Sequence, residues 1–543
     1  MEKIVSLCKR RGFIYPASEI YGGINGFWDY GPLGVLLKNA IRDHWWRNMV
    51  ECPPIGPDGH PIDMVGLDSA IIQHPKTWVA SGHAGGFSDP MSTCRQCKRL
   101  FRSDHVPDML REAEWVTALA EAVAAGADGS VASVDPGKLK QFADRKGKKL
   151  APGLALVRSP GTVIEAVVNA VGSGSTELTK LLSLLATENQ AATGLQTPCP
   201  ACGGDLTEPR QFNLMFESHA GAVQDDSSKV YLRPETAQGI FLNFKNVLDT
   251  SRVKVPFGVA QVGKSFRNEV TPRNFIFRSR EFEQMEMEWF CHPDDALTWY
   301  EFWKAERVRW WRSLGVAEQN LRLRDHDQDE LSHYSKATVD IEYKYPFTDP
   351  GYGELEGIAH RGSYDLTQHQ THSGQRLDYF DQELQLKLKA AGASEDEIKA
   401  KSRYIPNVIE PASGLTRAVL VLLCEGYAED ASRASPVFLK FNPRVAPIKA
   451  GIFPLVNKDS MPEIAEKLYM DLRTRFACEY DAKQSIGKRY ARMDEIGTPF
   501  CITIDGQTLT DQTVTLRDRD TAVQERVAID QVGARVAASV TGG

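Results

Sequence analysis

Residues 259–290 read VAQVGKSFRNEVTPRNFIFRSREFEQMEMEWF, two strand-like runs around a short polar turn. Successive side chains of a strand point to opposite faces, so a period of two sorts them. On the second run Arg278, Arg280, Phe282, Gln284, Glu286 and Glu288 share one side, while Met285, Met287 and Trp289 fall on the other. On the first, Gln261, Ser265, Arg267 and Glu269 line up against Val262 and Phe266. The pair predicts an antiparallel hairpin with one face for a core and one carrying three arginines, an aromatic ring and several carboxylates. A merely solvated face would alternate too, but would favour Lys and Thr over this mixture. Arginine forks suit phosphate and carboxylate oxygens, a Phe ring stacks on a purine, and carboxylates hold an ammonium group or a divalent cation.

Working outward, 543 residues leave room for about three or four domains of roughly 100–200 residues each. Hydrophobic content of 42% and charged content of 25% are those of an ordinary soluble chain. The longest apolar run, near Val419–Cys424, falls far short of the roughly 20 residues of a membrane helix. MEKIVSLCKRRGF at the start lacks a secretory apolar segment. A cytoplasmic location with no membrane partner is therefore the expectation. The net charge of -7 argues against polyanion binding by the chain as a whole, so a nucleic acid would have to meet local basic patches.

The ten cysteines fall into two groups. Cys8, Cys52, Cys291, Cys424, Cys478 and Cys501 are scattered and read as buried thiols of a reducing compartment. Cys94/Cys97 in DPMSTCRQCKR and Cys199/Cys202 in TPCPACGGD form two Cys-x-x-Cys knuckles among turn residues. Two thiolates on a tight turn supply two corners of a tetrahedron, and the second knuckle supplies the others: a structural zinc site with no open position for catalysis. Disulfides or a vestigial site are the alternatives. Between the knuckles, residues 98–198 are Ala-rich with Gly/Ser breaks and predict a mostly helical insertion closed at its base by the metal.

Elsewhere the pattern is mixed α/β. After Tyr30-Gly31-Pro32, Leu33, Leu37, Ile41, Trp45 and Met49 recur every four residues on one helix face, suited to a core or a subunit interface. Residues 301–314 and 379–391 also predict helices. FNPRVAPIKAGIFP, residues 441–454, marks a domain boundary, and helical and strand-like stretches alternate after it. The expected domains are 1–97 and 199–440 as one core, 98–198 as the insertion, and 441–543 as a compact α/β module.

These residues carry a resemblance. SFRNEV with FRSREFEQMEMEWF resembles motif 2 of the class II aminoacyl-tRNA synthetases, SGLTRAVLVLL resembles motif 3, and DYGPLGVLLKNAIRDHWW resembles motif 1. EIYGGINGFWDYGPLG, TWVASGHAGGFSDPM, FNLMF, YLRPETAQGIF, GELEGIAHRGSYDLTQHQTHSG and VIEPASGLTR narrow the similarity to the single-chain, homodimeric glycyl-tRNA synthetases. It covers nearly everything outside the Ala-rich insertion. The implied fold is an antiparallel-sheet catalytic core flanked by helices, with the zinc-based insertion and a C-terminal α/β anticodon-binding domain.

Carried over position by position, the resemblance implies that Arg267 bridges the ATP α-phosphate and the glycine carboxylate, and that Arg417 covers the other side of the triphosphate. Asn268, Glu269, Phe277, Arg278, Ser279, Arg280, Glu281, Phe282, Leu355 and Gly414 complete the ATP site, with Phe282 against adenine. Glu354 acts through a divalent ion, Mg2+. Glycine is held by Glu235, Glu286 and Glu410, with Gln284, Phe282, Arg102 and Ser413 beside them. The related enzymes show Glu-Pro-Ser-x-Gly before motif 3; here the order is Glu410-Pro411-Ala412-Ser413-Gly414, which shifts the serine by one.

No side-chain nucleophile is needed, because the substrate carboxylate attacks and pyrophosphate leaves. Every competing amino acid is larger than glycine, so a pocket walled against a Cβ excludes it and no editing domain is expected. The implied partners are tRNA(Gly), glycine, ATP and a second copy of the chain. In the C-terminal module Lys488, Arg489 and Arg492 are candidates for tRNA phosphates. The rival readings are a class II synthetase for another small amino acid and a non-catalytic, synthetase-like nucleic-acid-binding subunit.

Overall fold

The computed structural model describes residues 1–106, 109, 199–201, 206–328, 330–332, 335–348, 351–433 and 435–541. They form two compact units, residues 1–83 with 215–543, and residues 84–214. No helix among the described residues is long and apolar enough to cross a membrane.

The first unit is organised by seven strands: β1 (Asp63–Gly66), β2 (Phe257–Phe266), β3 (Glu281–Cys291), β4 (Leu321–Asp325), β5 (Ala337–Tyr343), β6 (Gly353–Gly362) and β7 (Asn407–Gly414). Their order is β4-β5-β6-β7-β3-β2-β1, antiparallel throughout except for β1 beside β2. The helices around them are α1 (Pro32–Trp46), α2 (Ala237–Ser251), α3 (Ala296–Ser313), α4 (Tyr364–Ser373) and α5 (Leu415–Gly426).

Strand β3 is central, and its alternation divides the sheet. Met285, Met287, Trp289 and Cys291 enter the larger core with Trp303 and Trp311 of α3 and Leu415, Leu420 and Leu423 of α5. Burying each of the larger side chains contributes roughly 1.5–3 kcal/mol. A one-residue slip would send all of them to the other face, so the register is strongly specified. On that other face Phe282, Gln284, Glu286 and Glu288 lead to Phe290, which packs against Phe241 and Phe244 of α2. One strand thus runs from an aromatic ring through two acids to an apolar cover.

The connection from β2 to β3 is longer than a short turn. It spans residues 267–280 and contains a 3-10 turn at Phe275–Phe277. Asn274 and Phe275 hold left-handed backbone at φ 58° and 59°. The Phe275 ring lies 4.8 Å from Trp28, and Phe277 sits edge-on to Tyr345 and Phe347. Phe275 and Phe277 thus anchor a connection that the sequence presents as a short polar turn.

Helix α1 starts on Pro32 and buries Leu37, Ile41 and Trp45, with Met49 buried in the π turn that follows. A Cβ on Gly34 would lie 1.8 Å from the Phe13 carbonyl oxygen, so α1 approaches that backbone too closely for any other residue. The helix expected from residue 301 begins earlier, at Ala296. The helix expected over 379–391 splits: Tyr379–Phe380 pair with Arg403–Tyr404, and the Asp381 carboxylate accepts from Leu384 N at 2.8 Å to start a helix at Gln382.

C-terminal to the Pro-rich segment lie β8 (Ala450–Pro454), β9 (Cys478–Tyr480), β10 (Phe500–Ile504), β11 (Thr513–Asp518) and β12 (Gln524–Ala528), ordered β9-β8-β10-β11-β12. Helices α6 (Met461–Leu472) and α8 (Val532–Thr541) contribute to a separate hydrophobic cluster with this sheet, and α7 (Ile486–Ile496) contributes Met493 and Ile496 to a smaller one with Phe453 and Cys501. Arg489 is a correction to the expected phosphate contacts. It is buried and donates to the carbonyls of Pro454, Asp481 and Leu455, so it braces the module. Lys488 and Arg492 are exposed. Of the scattered cysteines, Cys8, Cys291 and Cys501 are buried, Cys424 and Cys478 half-buried, and Cys52 exposed.

In the second unit, strands Ser88–Thr93, Leu100–Arg102 and Arg210–Asn213 form one antiparallel sheet. The strand after the second knuckle closes the sheet that carries the first, which is why this unit begins at 84 rather than 98 and ends at 214. The helical insertion expected over 98–198 lies almost wholly outside the described residues.

Candidate active site

A cavity of about 300 Å³ opens on the β3 face that carries Phe282, Gln284 and Glu286. One part of it is built from the β2–β3 connection, β6 and the start of α5. Arg267, Glu269, Phe277, Arg278, Ser279, Phe282, Glu354, Leu355, Gly414 and Arg417 all line it. Each arginine is oriented by a partner. Arg267 Nε donates to the Pro234 carbonyl at 3.1 Å, with its guanidinium 5.3 Å from the Phe282 ring centre. Arg278 Nε donates to Glu269 Oε2 at 2.8 Å. Arg417 lies 4.7 Å from the Phe277 ring centre and 3.0 Å from the Glu354 carboxylate, which its charge holds below the usual carboxylate range.

Three expected ATP residues stand off the cavity lining. Arg280 donates to the carbonyls of Glu269 and Asn25, both at 2.8 Å, and so fastens the connection to the N-terminal segment. Glu281 pairs with Lys264, and Asn268 is absent from the lining. The alternation that put Arg278 and Arg280 on one face holds only where strand pairing holds, and β3 begins at Glu281. Arg102 belongs to the second unit, where it pairs with Asp89 and Asp104. His326, Thr338 and Asp340 also line the cavity, and His326 Nε2 lies 2.8 Å from Asp340 Oδ2. Burial first, and Glu354 second, push the Asp340 carboxyl up. These three lie outside every motif and gave no sequence signal.

Farther along β3 the lining turns acidic. Glu235, Glu286 and Glu410 come together here from the segment before α2, from β3 and from β7. Glu286 Oε2 accepts from the Thr236 backbone N–H at 3.1 Å and from its hydroxyl. Glu235 lies 3.3 Å from His83 Nε2 and accepts from Gln238 at 2.9 Å. Gln238 also donates to Asp365 at 3.0 Å. Arg361, fully buried, grips both Asp365 oxygens at 2.8 Å and donates to Glu410 Oε2 at 2.6 Å.

Burial opposes charge on all three acids, and the neighbours then separate them. His83 and Arg361 more than offset burial at Glu235 and hold it low, whereas Glu286 stays raised by burial and by Glu235. Burial outweighs Arg361 at Glu410, which is also raised. The expected residues missed this framework, although Arg361 and Asp365 lie in GELEGIAHRGSYDLTQHQTHSG. A buried arginine spaced four from an aspartate on a strand-to-helix junction was the available signal.

Ser413 needs correction as a hydroxyl contact. In the register Ala412 sits opposite Glu286 and Gly357, whereas Ser413 sits opposite Met285 and Glu356. A shift of one residue in a strand turns a side chain to the other face. Ser413 therefore reaches the lining through its strand, while its hydroxyl is buried without a hydrogen-bond partner. Ser413→Ala is expected to leave the KM for the amino acid unchanged and stability equal or higher, because an unsatisfied buried hydroxyl costs about 1–3 kcal/mol. Exchange kinetics and a melting curve check this; a several-fold rise in KM would refute it.

In the second unit the sulfurs of Cys94, Cys97 and Cys199 lie within 4.8 Å of one another, Cys97 and Cys199 at 3.7 Å. Zn–S bonds of about 2.3 Å at tetrahedral angles place sulfurs roughly 3.8 Å apart. The first knuckle has the backbone for it: Cys97 N–H points to Cys94 Sγ at 3.4 Å, and Lys98 takes φ 62° to turn the chain. Cys202 lies outside the described residues.

Two family models match the chain: the tRNA synthetase class II core domain (G, H, P, S and T) over residues 216–428, and the anticodon binding domain over residues 449–539. Among curated proteins, the glycine–tRNA ligase of Rhodopirellula baltica is 46% identical over 98% of each chain. That of Lachnoclostridium phytofermentans is 45% identical over 98% of this chain and 97% of its own. The glycine–tRNA ligase of Bifidobacterium longum is 42% identical, covering 99% and 93%. Similarity of this degree along nearly the full length, on a sheet whose one face joins an arginine-lined cavity to a cluster of buried acids, places the chain in the glycine–tRNA ligase family of class II aminoacyl-tRNA synthetases.

Proposed function

We propose that the chain joins glycine to tRNA(Gly) in two steps at this cavity. The observation that carries the reading is the acid cluster of Glu235, Glu286 and Glu410 beside the guanidinium of Arg267. A substrate with no side chain offers only its two charged ends. The acids take the ammonium, and Arg267 takes the carboxylate and the α-phosphate. A carboxylate oxygen forms a bond to the α-phosphorus and the bond to pyrophosphate breaks; a hydroxyl at the 3′ end of the tRNA then loses its proton and bonds to the glycyl carbonyl carbon, and the bond to phosphate breaks to release AMP. Arg267, Arg278 and Arg417 neutralise charge that builds on the phosphates, and Phe282 supports adenine. Mg2+, held by Glu354 with Asp340 nearby, would supply a further counter-charge to the phosphates.

Zinc at Cys94, Cys97, Cys199 and Cys202 is proposed as a structural ion, supported by the sulfur spacing. Full-length protein is expected to contain about one zinc per chain by elemental analysis. Cys97→Ser is expected to lose it while ATP–pyrophosphate exchange survives better than tRNA charging. A wild-type chain purified without zinc and fully active would sink that assignment. The C-terminal module would read the anticodon, and two copies would pair through the motif 1 region around α1, in a reducing cytoplasm that keeps the knuckle thiols available.

ATP–pyrophosphate exchange across the amino acids tests the function. Exchange with glycine alone is the expected result. Exchange with another small amino acid would favour a sister synthetase, and none at all would favour the binding subunit.

A further inference from the structure

Glu288 stands one step beyond Glu286 on the same face of β3 and is fully buried, yet both its carboxyl oxygens are without a hydrogen-bond partner. One carboxyl oxygen each of Glu286, Glu288 and Glu410 lies within 4.8 Å of the others. The charged groups facing Glu288 are Glu286 on its own strand, Glu410 on β7, Arg361 on β6 and Asp365 on α4. Glu235 acts on the same cluster through Glu286 and Glu410. Five carboxyls therefore share Arg361, which donates to Asp365 and Glu410, while Arg267 acts on Glu286 and His83 on Glu235, and neither of these two acts on Glu288 directly.

Like charges this close and this dry do not all ionise together. The cost falls hardest on the carboxyl that no donor reaches, because a buried charge without hydrogen bonds is the least stable form available. A proton placed there cancels one charge and turns Glu288 from an unsatisfied acceptor into a donor toward its neighbours. Consistent with this, burial and then Glu410 push the Glu288 carboxyl well above its ordinary range.

We propose that Glu288 is a positioning residue which keeps a proton against Glu410 while the pocket is empty and releases it when the substrate amine enters. The inference rests on the reading of this cavity as the glycine site. The ammonium enters and remains protonated; its charge replaces that of the departing proton, which passes to solvent. Glu410 then meets the amine as a full carboxylate instead of sharing a proton with its neighbour. Glycine affinity thereby becomes linked to pH, rising as pH rises through the neutral range, because the release that accompanies binding is then easier.

The test is calorimetric titration of the full-length protein with glycine at pH 7 in buffers of differing ionisation enthalpy. Wild type is expected to release up to about one proton per glycine bound, and its affinity to rise by up to about tenfold per pH unit between pH 6 and 8. Glu288→Gln keeps the shape and carries no titratable proton, so its proton release is expected to fall close to zero and its affinity to become nearly flat with pH. Buffer-independent heats for wild type overturn the inference, whether or not the variant folds. A Glu288→Gln variant that releases as many protons as wild type overturns it too. Wild type that binds no glycine overturns the assignment of the pocket itself, a result distinct from binding without proton release.

Discussion

Arg267→Ala is expected to lower glycine-dependent ATP–pyrophosphate exchange by about a thousandfold, the effect of removing a preorganised donor from a site of developing charge. The position explains the size. Arg267 lies between the acids and the aromatic end of the cavity, with Nε fixed by the Pro234 carbonyl and its plane near Phe282. Its fork is pointed before substrate arrives, so orientation contributes as well as charge. Lysine restores the charge but not the fork, and Arg267→Lys is expected to recover only part of the loss. The fall should appear mainly in kcat, with the melting temperature little changed, because Arg267 is only partly buried. A loss under tenfold in the alanine variant would remove Arg267 from the chemistry.

Arg361→Met is expected to destabilise the protein by about 3–5 kcal/mol at neutral pH, since it leaves a buried anionic cluster without its guanidinium. Methionine roughly keeps the volume, so packing against Phe241, whose ring centre lies 5.4 Å from the guanidinium, is largely preserved. The sign with pH follows from the acids. Glu286, Glu288 and Glu410 are raised above the ordinary glutamate value of 4.5, so they bind more protons folded than unfolded. The stability they contribute is complete below that value and is lost as pH rises through their folded values. Arg361 opposes that loss by favouring their charged forms. It also helps hold Glu235 low, a contribution present above 4.5 and lost as pH falls through the folded value. The first term makes the cost of Arg361→Met smaller at pH 5 than at pH 8, whereas the Glu235 term is present at both. Urea unfolding at the two pH values measures it, and equal losses would contradict the electrostatic origin.

Much of the fold was legible because alternation and helical spacing are local properties. Of the stripe Leu33, Leu37, Ile41, Trp45 and Met49, all but the half-buried Leu33 are buried as the spacing implied, and so are Met285, Met287 and Trp289 of β3. Where strand pairing stops, alternation loses its basis: Arg278 and Arg280 precede β3 and only Arg278 of the two lines the cavity, while Glu281, which opens β3, pairs with Lys264. Ser413 shows the converse. Its displacement was visible in the sequence, but the neighbouring strands decide what a one-residue shift means, setting it beside Met285 and Glu356.

By itself, then, the sequence determined the sheet face and the motifs, because each rests on residue type and near spacing, and the resemblance those motifs carry pointed to the acids at Glu235, Glu286 and Glu410. The tertiary structure alone decided how those acids are balanced. The Arg361–Asp365 pair, Gln238 and His83 come from separate parts of the chain and meet the acids only when β6, β7, α2 and α4 are in place. Glu288 became distinct from Glu286 only there, since two acids two residues apart on one strand read alike until burial and hydrogen bonding separate them. Charge state in a dry interior is set by what surrounds a group in space, and a linear order of residues does not contain it.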